Sequence, residues 1–597
     1  MAVDDPQLAD KAMPWYRGLS RTQWWILTIA SMGWMFDTMD QQFFNLGRGP
    51  AMKDVMGLDP VAAGLDQLGT HEQEAYTSAE LDRLVTEGVL TAVQRDRALD
   101  GMDGEIRQTA TRKDVAGAIG EDLLRPKYVE FGEEALGARA EGSETTTQPA
   151  SRFHYDSFDE ARFSELVAAN VLSRTAADKQ LALYADGSVP RSDLACHLGK
   201  EIAEKRIADA GNTSTTIFVL GWAIGGLFFG WIGDALGRAK TMALTILVYA
   251  LFTGLNGLAQ DMLTFNVLRF LTALGVGGEF AAGAALVAES MPERSRAAAL
   301  GTLQALSAVG NMMGAALAYF ILPVSWRWLF FVGALPGIVA VFVFLKLEEP
   351  RKWVEARKKW LEERAAGITM RRASYLGLLG ESRWRNRAIV GLLLGVVGVG
   401  GLWGIGFFTP ELNRMIAAAY SEEAKEKFVS IAFFLQQLGA FCGISAYTVI
   451  SLRMGRRPAF AIFFLLAFLV VSYNFLFTDT IVEAYILAPL IGFVTLGPFG
   501  GFAIYFPELF PTRLRATGTG FCYNVGRILA AAVPNMKGGL QGLFISGALV
   551  LPLLPSAVGD AQRAIRYGSF LMLFIYIIGL FVLLFAPETK DQPLPED

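Results

Sequence analysis

The sequence predicts an all-α membrane protein with two six-helix halves and a helical soluble insert between its first and second spans. The first observation behind this fold class is that 52% of the 597 residues are hydrophobic, with a mean hydropathy of +0.35. The second is a series of twelve apolar stretches, each near the length of about 20 residues that a helix needs to cross a bilayer. The third is a charged motif that occurs twice in the chain.

The repeated motif indicates an internal duplication. Residues 289–297 read Glu-Ser-Met-Pro-Glu-Arg-Ser-Arg-Ala, and residues 508–516 read Glu-Leu-Phe-Pro-Thr-Arg-Leu-Arg-Ala. A second repeat, at nearly the same offset, places Gly-Arg at 237–238 opposite Gly-Arg at 455–456. Both copies lie between long apolar stretches, so a membrane domain has been built twice in one orientation. Parallel halves with a substrate site between them at mid-membrane are typical of alternating-access transporters.

The candidate spans divide into six before and six after a polar loop. They lie near residues 24–46, 214–232, 241–259, 263–288, 298–322, 328–347, 387–410, 428–451, 458–477, 482–506, 516–535 and 567–586. The loop, residues 351–387, carries eleven Lys and Arg against four Asp and Glu. The positive-inside rule therefore places it in the cytoplasm, and counting spans from it places the other short basic loops and both termini there.

These boundaries predict an integral multi-pass protein of the cell (inner) membrane. Its expected segments are a cytoplasmic N-terminal segment at 1–23, span 1 at 24–46, an extracytoplasmic insert at 50–212, spans 2–6 within 213–347, a basic cytoplasmic loop at 348–386, spans 7–12 within 387–586 and a cytoplasmic tail at 587–597. Residues 539–556 are apolar but interrupted by Gly and Pro. We interpret them as an extension of span 11 or an interfacial piece, because a thirteenth span would reverse the C-terminus.

The insert carries a duplication of its own. Residues 47–212 hold thirty acidic and nineteen basic side chains, which suits an exposed surface. The apolar pattern over 84–99 recurs 82 residues later over 166–181, which predicts two tandem helical units. A linker rich in Gly, Ser, Thr and Glu joins them at 136–151. The three histidines of the chain lie in the insert without metal-ligand spacing, so no metal is predicted, and the sequence names no ligand or partner for it.

The loop between spans 2 and 3 carries the most specific motif of the chain. Residues 230–240 read Gly-Trp-Ile-Gly-Asp-Ala-Leu-Gly-Arg-Ala-Lys. This resembles the signature loop of the major facilitator superfamily, with the Gly, Asp, Gly and Arg spacings kept. The second copy, at 452–457, keeps the Gly-Arg-Arg end but lacks the Asp. Together with the six-plus-six division, the resemblance covers nearly everything except the insert, and it implies a twelve-span major-facilitator fold.

Further motifs resemble one branch of that superfamily. Sugar porters and organic-acid symporters have sequences similar to residues 269–279 in span 4 and 507–520 after span 10. Residues 349–353 resemble the proline-arginine-tryptophan signature that these proteins carry after span 6. The Met-Phe-Asp-Thr-Met-Asp sequence at 35–40 resembles the aspartate-bearing first helix of sialate, lactate and aromatic-acid proton symporters. The glutamine-rich seventh helix of hexose porters is absent, and Leu-Trp-Gly-Ile-Gly occupies 402–406 instead. This departure counts against a simple hexose as the substrate.

Four ionisable residues at membrane depth are assigned to proton coupling, because such residues are costly in lipid and are functional candidates by default. They are Asp37, Asp40, Arg269 and Glu279. Asp37 and Asp40 are three residues apart and share a helical face. We expect Asp37 to be the main proton-carrying carboxylate and Arg269 to be its partner. The alternative for each residue is a structural salt bridge inside the bundle.

Substrate binding is assigned to polar residues within the spans. They are Arg527, Asn524, Gln304, Asn311, Gln436 and Gln437. Arg527 is about 11 residues into span 11, hence roughly 16 Å deep at the helical rise. A guanidinium at that depth needs a counter-charge, and a substrate carboxylate would match its fork of donors. Glu279 or Glu411 could supply that charge instead. The four amide residues in spans 5 and 8 could line a cavity or merely bond between helices.

The cytoplasmic gate is predicted to form where the two halves meet. Its residues are Gly230, Asp234, Gly237, Arg238, Glu289, Arg296, Arg456, Glu508 and Arg515. We expect one cluster of Asp234, Arg238 and Glu289, mirrored in the second half by Arg456, Glu508 and Arg515. Pairs between these charges would break whenever the inner side opens.

The residues and the resemblance together favour a proton-coupled symporter of a small organic anion. Its expected partners are the bilayer, a small-molecule substrate and the proton. A sugar or polyol transporter and a transporter-derived sensor are the alternatives; the buried charges count against a sensor, since a scaffold has no need of them. No nucleophile–base set, nucleotide-binding loop or redox motif is present, so neither an enzyme, a cofactor nor nucleic-acid binding is predicted. The glycines at 275–278 fall inside a membrane helix, where they serve packing.

Overall fold

The structure, a computed structural model, separates into a membrane unit and an insert unit. It describes residues 14–68, 75–100, 108–136, 155–169, 171–172, 174–184, 187–322, 324–337, 348–365, 375–417, 420, 422–530, 533–551 and 554–596. The membrane unit comprises residues 1–47, 214–259 and 263–597, and the insert unit comprises 48–213 with 260–262. Every regular element that the structure describes in the membrane unit is helical.

The first half of the membrane unit contains the spans predicted as 1 to 6. Its helices are α1 (Arg21–Val55), the C-terminal part of α8 (Arg191–Leu236), α9 (Arg238–Asn256), α10 (Met262–Ser290), α11 (Glu293–Ile321) and α12 (Trp326–Gly333). The last part of span 6, residues 338–347, lies outside the described residues. Glycines in α8 and α10 bring these helices together, because a Cβ on Gly225 or Gly277 would meet the partner helix's backbone.

The second half repeats this arrangement after two short helices of the central loop. These are α13 (Arg351–Ala365) and α14 (Tyr375–Gly380), and the half itself contains α15 (Ser382–Ile416), α16 (Glu422–Met454), α17 (Arg456–Phe477), α18 (Ile481–Leu509), a 3-10 turn (Thr512–Leu514), α19 (Arg515–Ala530), α20 (Val533–Ile545), α21 (Ala561–Met572) and α22 (Phe574–Val582). Gly443 and Gly492 bring α16 against α18, as glycines do for α8 and α10. Nine segments of the described residues are long and apolar enough to cross a membrane.

Two helices run past the predicted ends of their spans. Helix α1 continues from span 1 to Val55, and α8 begins at Arg191, more than twenty residues before span 2. The sequence of α8 around 200–210 consists mainly of Ala, Glu, Lys and Ile and contains no proline. Such residues favour helix continuation, so nothing ends the helix at the predicted boundary near 213.

The broken apolar stretch at 539–556 divides into two parts. Residues 539–545 complete α20, and the described residues of 546–551 and 554–560 are not helical before α21 begins at Ala561. Phe544 packs with Ala557 and Tyr567, and Leu549, Leu551 and Leu554 surround them. The described part of this stretch therefore covers the ends of α20 and α21 and adds no further spanning helix.

The insert unit contains two copies of one strand–helix–helix–strand–helix motif. After α2 (Pro60–Leu68), the first copy consists of β1 (Ala75–Thr77), α3 (Ser78–Thr86), α4 (Ala92–Leu99), β2 (Thr109–Thr111) and α5 (Arg112–Leu136), and the second of β3 (Ser157–Phe158), α6 (Glu160–Ala168), α7 (Arg174–Leu181), β4 (Val189–Pro190) and the start of α8. Strands β1 and β2 pair antiparallel, as do β3 and β4. Thr77 and Thr91 begin α3 and α4 with capping boxes, which satisfy the first backbone N–H groups of each helix.

Glycines fix how the long helices of the insert cross. A Cβ on Gly64 or Gly120 would collide with the backbone of the facing helix at Ala116 or Pro60, so α2 and α5 touch main chain to main chain. The contact recurs between α5 and α8, where Gly132 and Gly199 face Ala195 and Tyr128. Helix α5 therefore closes the first copy and opens the second, and each copy has its own buried apolar core.

Candidate functional site

Among the described residues of the membrane unit, five charged side chains lie buried outside the Gly-Arg loops and the repeated charged motif. Asp37 and Asp40 come from α1, Arg269 and Glu279 from α10, and Arg527 from α19; each is at most 4% exposed. Helix α1 brings its two acids to one face because they are three residues apart. The structure thus gathers the predicted proton-coupling residues and Arg527 between helices of both halves.

Arg269 pairs with Asp40 and not, as predicted, with Asp37. Its Nη1 lies 3.5 Å from Oδ2 of Asp40, and its guanidinium is 4.3 Å from the ring centres of both Phe44 and Phe218. The prediction failed because Asp37 and Asp40 share a face of α1, and spacing alone does not say which turn faces α10. Stacking on aromatic faces stabilises a cation in a dry environment, so the rings of Phe44 and Phe218 stabilise Arg269 in addition to its pairing with Asp40.

Arg527 is stacked between two aromatic rings that the sequence analysis missed. Its guanidinium carbon lies 3.5 Å from the ring centre of Trp222 on α8 and 4.2 Å from that of Tyr523 on α19. Tyr523 in turn stacks on Phe280 of α10, with ring centres 4.2 Å apart. Because α8 and α10 belong to the first half and α19 to the second, this aromatic stack joins the halves. Tyr523 and Arg527 are four residues apart on one helix, and this spacing could have predicted their contact, though not the contact of Arg527 with Trp222.

Part of the hydrogen-bonding capacity of Arg527 is unused. Nη1 donates to Oδ1 of Asn524, at 2.9 Å, while Nε finds no acceptor among the described residues. Asp37, which is not one of the alternatives predicted from the sequence, acts electrostatically on Arg527. Asp37 accepts only a long hydrogen bond of 3.3 Å from Gln41, and its Oδ1 has no donor in the described part of the chain.

Glu279 lies in the same buried compartment, defined by Asp37, Asp40, Arg269, Glu279 and Arg527, and makes no polar contact with a described residue. Neither of its carboxyl oxygens accepts a hydrogen bond from a described residue, although it is only 2% exposed. Its carboxyl group packs against the backbone of α1 at Gly33, where a Cβ would collide with Oε1.

The four remaining amide residues assigned to substrate binding fall into two groups. Asn311 of α11 donates to Oε1 of Gln437 on α16, at 3.1 Å, which is a direct bond between the halves. Gln304 makes a local contact of 3.4 Å with Ser307, and Gln436 is buried on α16. The bond of Asn311 to Gln437 supports the interhelical alternative for that pair.

A second charge cluster lies at one end of the membrane unit, where the Gly-Arg loops of both halves are found. Asp234 accepts hydrogen bonds from the backbone N–H groups of Ala516 and Thr517 and from the Thr517 hydroxyl, at 2.6–3.1 Å. A carboxylate of the first half thereby caps α19 of the second, an arrangement that the helix dipole favours. Gly230 permits it, because a Cβ there would lie only 2.9 Å from the Ala516 carbonyl oxygen.

Glu289 connects the two halves in the same cluster. Its Oε1 lies 3.0 Å from Nη2 of Arg238 and 2.7 Å from Nη1 of Arg515, all fully buried. Arg238 also reaches across to the carbonyl oxygen of Thr512, at 2.6 Å. Arg515 was predicted to join Arg456 and Glu508 in the second half. It instead crosses to the first half, because the repeated motif places each Arg at the start of a helix that faces the opposite half.

The second half contains a related cluster in which a threonine, and not a second arginine, bonds to the glutamate. Arg456 pairs with Glu508 at 2.9 Å, and the Thr589 hydroxyl donates to Oε2 of Glu508 at 2.6 Å. Arg296 is the counterpart of Arg515 in the duplication, but its Nη2 lies 3.8 Å from the exposed Glu293. Nε and Nη2 of Arg296 donate to no described acceptor. The chain has Leu452 where the first half has Asp234, so the two sides of the cluster are unequal.

Two glutamates outside the spans complete the mirrored loops, and neither was assigned a role from the sequence. Glu349 accepts from the backbone N–H groups that begin α9, and Glu588 from those that begin α17. Gly237 and Gly455 precede these helices with φ of +123° and +103°, a region that glycine adopts without steric cost. Burial raises the pKa of Glu588, but backbone donors at Arg456, Lys590, Arg457 and Thr589 outweigh burial and lower that pKa below its ordinary value.

The fold is that of a known family. The model of the Major Facilitator Superfamily matches residues 207–534, and the chain belongs to this family of integral membrane transporters. It is 32% identical over 391 residues to a probable 4-methylmuconolactone transporter of Cupriavidus pinatubonensis, covering 64% of this chain and 82% of that one. It is also 32% identical over 335 residues to the cis,cis-muconate transport protein of Acinetobacter baylyi, covering 53% and 75%.

A solved structure has the same fold. The proton:xylose symporter XylE superposes with a TM-score of 0.51 at 15% identity, over 66% of this chain and 89% of that one. The predicted family and helical membrane fold are therefore confirmed, as is the conclusion that the chain is a transporter and not an enzyme.

Proposed function

We propose that this protein is a proton-coupled symporter of a small organic anion that works by alternating access in the cell membrane, with both termini in the cytoplasm. The observation that carries the proposal is Arg527, a buried guanidinium at the junction of the two halves. It is stacked between Trp222 and Tyr523 and keeps an unused N–H donor.

The setting of Arg527 favours a carboxylate over a neutral substrate. A buried cation with incomplete hydrogen bonding is costly, and a second charge with matched donors and acceptors removes most of that cost. The two rings cover the faces of the guanidinium, so a ligand must approach its edge. An edge-on carboxylate makes the strong, charge-assisted bonds that a sugar hydroxyl makes less well.

Asp37 supplies the coupling to protons in this proposal. It acts on Arg527 electrostatically and has one oxygen without a donor. When a substrate carboxylate binds Arg527, two negative charges compete for one guanidinium, and protonation of Asp37 relieves their repulsion. Substrate and proton then enter together. Asp40 remains paired with Arg269 and keeps the rest of the compartment neutral.

The charge cluster at the Gly-Arg loops supports alternating access. Asp234 and Glu289 of the first half bind α19 of the second half directly, so the halves are held together at that end. By the positive-inside rule this end faces the cytoplasm. In this proposal the bonds at that end form the closed inner gate, and they must break when the cavity opens inward.

The relatives fit the same substrate class. Proteins named for transport of cis,cis-muconate and 4-methylmuconolactone are 32% identical to this chain. Muconate is a small unsaturated dicarboxylate, and it is the first compound to test.

Uptake by an Arg527→Gln variant tests the proposal. Losing a charge-assisted hydrogen bond costs about 1.5–3 kcal/mol, so the Michaelis constant for muconate should rise about 10- to 100-fold. The dimethyl ester of muconate, which has no charge, should bind equally weakly to the wild type and the variant. Arg566→Gln is the matched control: it removes a partly buried arginine that bonds to the Thr478 carbonyl oxygen instead, and it should leave the Michaelis constant unchanged. Equal losses for acid and ester, or transport of neutral sugars alone, would reject the organic-anion assignment.

A further inference from the structure

We infer that Glu279 is a second proton-carrying carboxylate, so that two protons accompany each substrate anion. This inference rests on the proposed function and adds its stoichiometry. It begins from a position on α1. The Glu279 carboxyl group lies against Gly33, and Asp37 follows Gly33 by four residues, about one helical turn. The two carboxyl groups therefore face the same side of α1.

The surroundings of Glu279 fit a carboxyl group that holds a proton in this conformation. It is 2% exposed, and neither oxygen accepts a hydrogen bond within the described residues. An ionised carboxylate without partners in a dry interior costs far more than a neutral acid. Asp37 from α1 and Tyr249 from α9 are the titratable groups that act on it. The arginines of the compartment are directed elsewhere, Arg269 to Asp40 and Arg527 to the aromatic stack.

Counting charges leads to the same assignment. The compartment contains three acids (Asp37, Asp40 and Glu279) and two arginines. If Asp40 is balanced by Arg269 and Asp37 by Arg527, Glu279 must be neutral for the compartment to be neutral. When a singly charged substrate such as the hydrogen-muconate anion places its carboxylate on Arg527, Asp37 must bind a proton as well. The loaded, closed protein then carries one proton on each of these two acids. Water that enters when the cavity opens inward stabilises both carboxylates, and both protons leave with the substrate.

Tyr249 is in position to connect the acids. Its side chain is fully buried, its hydroxyl has no hydrogen-bond partner in the described structure, and it interacts electrostatically with Glu279, Asp37 and Asp40. A phenol can donate to whichever carboxylate is ionised. We therefore assign Tyr249 as a positioning residue that stabilises the deprotonated forms during proton movement. It does not carry the coupled proton.

The proton stoichiometry can be measured in proteoliposomes with the membrane potential clamped at zero. For n protons per substrate, the logarithm of the accumulation ratio at steady state rises with the pH gradient with slope n. One pH unit thus gives about 100-fold accumulation for two protons and about 10-fold for one. Using radiolabelled muconate, with the concentrations on both sides converted to those of the singly charged hydrogen-muconate anion, we expect a slope of two for the wild type and one for Glu279→Gln. Tyr249→Phe should keep a slope of two with about 10-fold slower uptake, whereas Tyr576→Phe, which removes an equally buried hydroxyl elsewhere, should change neither.

The outcomes separate this inference from the function beneath it. A wild-type slope of one, or a slope of two that survives Glu279→Gln, would overturn the second proton site and leave symport intact. A wild-type slope of zero would instead overturn proton coupling as a whole. The wild-type slope needs no variant, so the inference remains falsifiable even if Glu279→Gln does not fold.

Discussion

At the residue scale, the buried charges differ in how fully they are paired. Arg269 has an acid at 3.5 Å and aromatic rings on two sides, while Arg527 has rings but no contact ion pair in the described residues. None of the Arg269 guanidinium nitrogens makes a hydrogen bond within the described residues, so the two arginines differ in their counter-charge and not in their hydrogen bonding. A cation with an acid in contact is held in place, and a cation without one can accept a substrate carboxylate. This difference separates a structural role for Asp40 and Arg269 from a transport role for Asp37 and Arg527.

Asp37→Asn tests that separation. The amide cannot take up a proton, so the slope of accumulation against the pH gradient should fall from two to one, the remaining proton being carried by Glu279, while exchange of labelled for unlabelled substrate should continue at a measurable rate. Asp40→Asn leaves Arg269 buried without its acid, which typically costs about 3–5 kcal/mol of stability, so it should lower the melting temperature more than Asp37→Asn does. Undiminished accumulation by Asp37→Asn would rule out its role.

Glu588 gives a pH-dependent prediction outside the membrane. Because backbone donors lower its pKa in the folded protein, its charge stabilises the loop at pH values above its ordinary pKa. That contribution is lost as the pH falls through the lowered pKa. The melting temperature of Glu588→Gln should therefore be below that of the wild type at neutral pH, and the difference should shrink on acidification. A difference that is constant from neutral to acidic pH would contradict the charged-cap role.

At the element scale, the duplicated loops predicted which helices form but not which charged residues pair between the two halves. The two Gly-Arg repeats correspond in the structure to two glycines with positive φ, each preceding the start of a helix. The repeat did not reveal that Arg515 pairs with Glu289 of the other half. It also did not reveal that the Thr589 hydroxyl donates to Glu508, where the symmetry of the halves would place Arg296. Sequence similarity between halves predicts similar elements. Contacts between halves depend on how the halves pack, and a single chain pattern does not contain that information.

Asp234 offers the sharpest test at this scale. Asp234→Asn weakens the charge-assisted cap on α19, a change of about 1–3 kcal/mol, so the population with an open inner side should rise several-fold. Labelling of a single cysteine in the inner cavity measures that population. Leu452, at the equivalent place in the second half, supplies the control, because Leu452→Asn alters no interhalf bond. Unchanged labelling of Asp234→Asn would contradict the gate.

At the scale of the whole molecule, hydropathy and basic loops were enough to predict the membrane fold, and the internal offset of 82 residues matched the tandem units of the insert. What the sequence did not indicate is that α1 and α8 extend beyond their spans, because residues near 50 and 200 look like ordinary polar insert. It also did not indicate Trp222 or Tyr249, since aromatic residues in apolar helices are usually packing residues.

The insert remains predicted to be extracytoplasmic and dispensable for the transport step. It has its own cores and its own glycine-mediated helix crossings, so its stability does not depend on the transport residues. Replacing 50–212 by a short flexible loop should preserve muconate uptake within a few-fold. Gly120→Leu, which would force α2 from α5, should likewise destabilise the insert without abolishing uptake. Complete loss of uptake by a correctly inserted deletion variant would show that the insert takes part in the cycle.

The central claim is that a proton gradient drives uptake of an organic anion through this protein. Its most direct test is accumulation of labelled cis,cis-muconate in proteoliposomes with and without an inwardly directed proton gradient. We expect concentration above the external level only with the gradient, its collapse on adding a protonophore, and no accumulation in protein-free vesicles. Gradient-independent equilibration of muconate would contradict proton coupling, and failure to transport any carboxylate while sugars enter would contradict the substrate class.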